Sequence, residues 1–165
     1  MNKKLIQAFS ATGRHLECLQ LCQDNFQDSP NEPFLWKFAG KSLLGLGQIE
    51  KAQRYLTRAH MLDSADPEII KDMGNIYNSL QNKAEAIRLY KLALSINPNF
   101  APAINNLGLI AKEQGNLLLA EKLIEKATNL DNLHAPYHMN LGSIYKELGK
   151  LDLSLASTLK SLELN

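Results

Sequence analysis

The chain has 165 residues, 45% of them hydrophobic, with Lys+Arg 18 against Asp+Glu 17, so it reads as a soluble folded domain without the basic excess of a nucleic-acid binder. No stretch reaches the ~18 apolar residues of a membrane-spanning helix, and Leu5–Ser10 is too short for a signal-peptide core. Two cysteines, Cys18 and Cys22, build no disulfide framework, so the expected location is cytoplasmic, with neither membrane nor nucleic acid as partner.

In chain order, a front unit over 1–32 sets one helix before Gly13 and a second after it. Unit 33–66 opens on Pro33, carries Ala39-Gly40, turns at Gly47 and continues through Ala52 and Ala59. Unit 67–100 opens on Pro67, with Ile70, Met73, Ile76, Tyr77 and Leu80 on one helical stripe. Gln81-Asn82 breaks that stripe, and Ala86, Leu89, Tyr90, Ala93, Leu94 and Ile96 form the next one before Asn97-Pro98-Asn99. Unit 101–134 repeats the scheme with Pro102, Leu107-Gly108, Gly115, Ala120 and Ala127. Unit 135–165, truncated, does so with Pro136, Leu141-Gly142, Gly149, Ser154 and Ser161.

The steps between Gly40, Gly74, Gly108 and Gly142 are 34 residues each, and Gly13, Gly47, Gln81, Gly115 and Gly149 keep the same step. Each unit is therefore predicted to be a helix, a tight turn and an antiparallel helix, each helix about 14 residues long. The small residues allow close approach of the paired helices, and the glycine at the turn suits a left-handed backbone. Gly45 alone among the nine glycines lies outside these two registers. The whole is expected to form one domain, 1–165.

The pattern Trp36…Ala39-Gly40…Leu43…Gly47…Ala52…Leu56…Ala59 resembles the tetratricopeptide repeat, and the following units are similar to it. Local departures are Gln81, Ala111, His138, and Ile6 where glycine is usual. The resemblance implies an all-α, right-handed α-α superhelix of about five helix-turn-helix repeats. It also implies a non-catalytic scaffold without a cofactor, whose first helices line a concave groove for an extended peptide or partner segment. Transferred position by position, that groove takes Lys37, Phe38, Lys41, Lys71, Asp72, Asn75, Asn105, Asn106 and Asn140. Lys3, Lys4 and Phe34 join its lysine-rich front half, which favours acidic segments.

Asn106 and Asn140 stand one repeat apart, and an amide both donates and accepts, so the pair suits an extended peptide backbone. They resemble the asparagine ladder in the repeats of O-linked N-acetylglucosamine transferases, as does the string Ile104-Asn105-Asn106-Leu107-Gly108. Lys71, Asn75 and Asn106 match the first positions of a clamp for a C-terminal carboxylate. Pro136 and Asn140 stand where its later cations belong.

Other candidate chemistry gives way to packing. Cys18 and Cys22 occupy core positions of the front unit, and Trp36 holds a large core position. His134 and His138 have the spacing of a helical metal pair, but no third ligand is in phase with them. No phosphate loop, dinucleotide fingerprint or nucleophile elbow occurs, so no enzyme is expected. In the last helix, some of Leu155, Leu159 and Leu162 are expected to remain exposed. That edge admits two alternatives to a simple scaffold: self-association through the C-terminal helix, or the accessory portion of a larger transferase.

Overall fold

The computed structural model describes residues 2–164, so the expected domain limits at 1 and 165 lie outside the described residues. Among those residues there are ten helices and no strand. They are α1 (Lys3–Ala11), α2 (His15–Asp24), α3 (Pro33–Gly45), α4 (Ile49–Leu62), α5 (Pro67–Ser79), α6 (Lys83–Ile96), α7 (Ala101–Glu113), α8 (Leu117–Leu130), α9 (Ala135–Glu147) and α10 (Leu151–Glu163).

Their ends follow from local chemistry. Pro33 and Pro67 open α3 and α5, where a missing N–H costs nothing. The Asp66 carboxylate caps α5, accepting from the Glu68 and Ile69 amides at 2.8 and 3.4 Å. At the turns, Gly47 and Gly115 take φ of 71° and 78°, as the register predicts, and Gln81 takes φ of 61° without glycine's freedom.

Contacts cluster into two compact units, residues 1–89 and 90–165. In the first, α3 packs against α4, with α2 and α5 also in contact with that pair. One part of its core joins Ile6, Cys18, Cys22, Leu35, Phe38 and Ala39; another joins Leu43, Ala52, Leu56 and Ile76. Each fully buried leucine or isoleucine among them contributes about 1.5–3 kcal/mol.

The front helix pair is shorter than the repeat leads one to expect. α2 has 10 residues, against 14 in α4. It stops at Asn25, which occupies the slot of Ala59 and donates from Nδ2 to the Leu21 carbonyl at 2.8 Å. This side-chain bond competes with the helical ladder. Beyond it Phe26 turns inward onto Trp36, with ring centroids 4.4 Å apart, while the Trp36 indole donates to the Pro30 carbonyl at 2.8 Å.

In the second unit α7 pairs with α8 and α9 with α10, and α8 packs on α9. Gly108 is the close-approach point of the first pair: a Cβ added there would lie 2.7 Å from Ile124 Cδ1. The α8–α9 joint is polar at its edge, where the Tyr145 hydroxyl donates to Glu125 at 2.7 Å and Lys150 pairs with Glu121.

Candidate functional site

The predicted site residues of the first unit stand on α3 and α5. The two helices are joined by Asp66, whose Oδ1 caps α5 while Oδ2 receives the Lys37 ammonium at 2.8 Å. Glu68 adds a second carboxylate at 3.2 Å. Burial pushes the Lys37 pKa down, but the hydrogen bond its ammonium donates to Asp66 and the two carboxylate charges outweigh it, leaving the pKa raised.

Phe38 is buried and packs on Phe34 with ring centroids 4.4 Å apart. Lys37 and Lys41 stand 5.5 and 6.0 Å from the Phe38 ring, and Lys3 stands 5.2 Å from that of Phe34. The lysines of this face differ in how much charge they leave available. Lys3 pairs with Glu32 at 3.3 Å, and Lys71 pairs with its neighbour Asp72. Among the described residues Lys4 and Lys41 take part in no ion pair, so the uncompensated positive charge of α1 and α3 rests on them.

Asp72 is buried at 3% exposure. Its Oδ1 accepts from Lys71 and, at 3.3 Å, from Asn75 Nδ2, while its Oδ2 is enclosed without a hydrogen-bond donor. Asp72 and Phe38 are thus the buried members of this set, while Lys41, Lys71 and Asn75 are partly exposed.

In the second unit the predicted amides are brought together. Asn140 on α9 donates from Nδ2 to Asn105 Oδ1 on α7 at 2.9 Å, and Asn105 donates in turn to Asn106 Oδ1 at 3.2 Å. Asn105 is buried, with Asn106 and Asn140 half-buried above it and Met139 exposed beside them. A turn further along, Lys112 reaches Ser143 at 2.7 Å and Glu147 at 2.9 Å.

The residues set aside as packing groups sit accordingly: Cys18 and Cys22 are fully buried. His138 Nε2 lies 2.9 Å from the Asn132 carbonyl, and His134 packs on Tyr137 with ring centroids 4.2 Å apart. Asp66 and Glu68 were not singled out from the sequence. The signal for Asp66 is its place directly before Pro67, an N-cap pattern whose second oxygen remains available to a neighbouring helix.

A TPR-repeat sequence model matches residues 74–115, and a tetratricopeptide-repeat model matches 101–132 and 135–165. A thermophilic TPR protein from Thermus thermophilus superposes with a TM-score of 0.86 at 23% identity, covering 98% of this chain and 88% of that one. MamA from Desulfovibrio magneticus gives 0.66 at 20% identity over 99% of this chain and 94% of its own. A chain of the APC/C hetero-tetramer Cut9–Hcn1 gives 0.86 at 17% identity; this chain spans 31% of its length, with 96% of this chain covered. No curated protein matches the sequence. At these identities the likeness is one of fold.

Proposed function

We propose, from the premise that this chain carries tetratricopeptide repeats over residues 74–132 and 135–165, that it is a non-catalytic scaffold binding partner segments on the faces of its first helices. The observation that supports this best is the amide chain Asn140–Asn105–Asn106. Asparagine is a mediocre helix former, and burying one mid-helix costs stability unless its amide is satisfied. Here the buried Asn105 orients Asn106 and Asn140, and an amide side chain offers both a donor and an acceptor, the groups an extended peptide backbone presents. Lys41, beside the Phe38 ring, supplies the positive charge that favours an acidic segment.

The test is site-specific photo-crosslinking in the native lysate, with the crosslinker at Met139 beside the amides and, as control, at the exposed Leu133 in the loop before α9. A partner captured from position 139, absent from position 133 and lost on Asn106→Ala supports the reading. Equal capture from both positions removes it.

A second reading rests on α10. Leu155, Leu159 and Leu162 are 62, 51 and 65% exposed, which favours self-association or a covering segment of a larger protein. Light scattering over a concentration series separates these: a concentration-independent monomer removes self-association.

A further inference from the structure

On the outer side of α4, away from the residues assigned above, the chain forms a depression of about 330 Å³ lined by Gln53, Arg54, Thr57, Arg58 and Met61. Two rows of the helix surface build it. Gln53, Thr57 and Met61 follow one another at intervals of four residues, and Arg54 and Arg58 run beside them at the same interval. No carboxylate lines the depression, and among the described residues neither guanidinium takes part in an ion pair.

One of the two arginines is already held. Arg58 donates from Nη2 to Asn31 Oδ1 at 2.9 Å, a bond that crosses from the loop before α3 to α4. This leaves its other N–H groups for a ligand while reducing the rotamer freedom lost on binding. The donor set is therefore two guanidinium forks one turn apart, one hydroxyl and one primary amide, with the thioether of Met61 at the end. Two carboxylate oxygens use only part of that set. A tetrahedral oxyanion with three free oxygens matches the paired forks, since guanidinium binds phosphate bidentately. The space exceeds a bare phosphate, and Met61, 72% exposed, offers an apolar wall to whatever carries the group.

We propose that this depression on α4 is a binding site for a phosphate monoester carried on a protein side chain, with Arg54 and Arg58 as its ligands and Asn31 as the residue that positions Arg58. Thr57 and Gln53 donate to the remaining oxygens, and Met61 covers the carbon side of the ester. The site lies on a second helix of its repeat, so a partner engaged there leaves the α3 and α5 faces accessible.

The experiment is an NMR titration of the full chain, following the Nε–Hε signals of Arg54 and Arg58. The probes are N-acetyl-phosphoserine amide, inorganic phosphate and the unphosphorylated N-acetylserine amide. The phosphoserine amide should shift both signals saturably and bind at least about threefold tighter than inorganic phosphate, with no response to the unphosphorylated probe. The exposed pair Arg54→Gln/Arg58→Gln, which leaves the core untouched, should weaken binding by about tenfold or more. Asn31→Ala should weaken it by a smaller factor and broaden the Arg58 signal alone. Inorganic phosphate binding as tightly as the phosphoserine amide would assign the depression to an adventitious anion and overturn the proposal. Absence of saturable binding, or binding indifferent to the arginine pair, overturns it as well.

Discussion

His15 lies directly on Gly45: a Cβ added to that glycine would stand 2.3 Å from His15 Nε2 and 2.5 Å from two ring carbons. Gly45 is the one glycine outside the repeat registers, and on α3 it stands against the imidazole of the front helix pair. The contact ties α2 to the C-terminal end of α3, with His15 Nδ1 enclosed beside it.

A double-mutant cycle measures this contact. Alanine is a better helix residue than glycine by up to about 1 kcal/mol, so Gly45→Ala should stabilise a His15→Ala background by several tenths of a kcal/mol or more. In the parent chain the imidazole must swing away, and the same substitution should be neutral or destabilising. A coupling energy of about 1 kcal/mol from urea unfolding is expected; strict additivity would show that the imidazole moves at no cost.

Gln81 is the only non-glycine at positive φ among the described residues, at 61°. Its side chain bears a strain of about 1–2 kcal/mol that glycine avoids, partly offset by glycine's greater entropy loss. Gln81→Gly should therefore raise stability by about 1 kcal/mol, read as a higher melting temperature.

Removing the Lys37 ammonium with Lys37→Met strands Asp66 and Glu68 and should cost about 1–3 kcal/mol near neutral pH. Because the folded pKa of Lys37 is raised, its contribution is fully present below the ordinary lysine value of 10.5. It is lost as the pH rises through the raised folded value. The difference between parent and Lys37→Met in urea unfolding should thus be full well below pH 10.5 and shrink as the pH rises above it. A difference that stays constant would mean the ammonium charge is not what the pair contributes.

Asn140→Ala and Asn106→Ala should both cost stability for a reason visible only in the structure, since Asn106 accepts from the buried Asn105 amide at 3.2 Å. Read as exposed groove residues, both are expected to be nearly neutral in stability. Asn140 instead supplies the donor to the buried Asn105 carbonyl, and losing it should cost about 1–3 kcal/mol. Thermal unfolding of the single variants checks this. A neutral Asn140→Ala would mean that water replaces its amide.

Much of the architecture was legible because helices report themselves locally. The 34-residue register of Gly40, Gly74, Gly108 and Gly142, and the prolines at helix starts, depend on backbone and close-approach chemistry that any unit carries within itself. The left-handed turns at Gly47 and Gly115 and the tight contact at Gly108 follow from the same local rules. The early end of α2 was less legible, since it depends on a single Asn25 side chain turning back onto the helix.

What the tertiary structure alone decided is which charges and amides are spent internally. Lys37 and Lys41 are one helical turn apart and look alike in sequence. Only the packing of α5 against its neighbours brings Asp66 to Lys37 and no carboxylate to Lys41. Similarly, Asn105, Asn106 and Asn140 share a residue type, yet one is buried and satisfied while the other two are partly presented. A hydrogen bond is lost within an ångström or so of extra separation, whereas periodicity fixes only which face a side chain occupies. The face was therefore written in the sequence, and the partner on it was decided by three-dimensional contact.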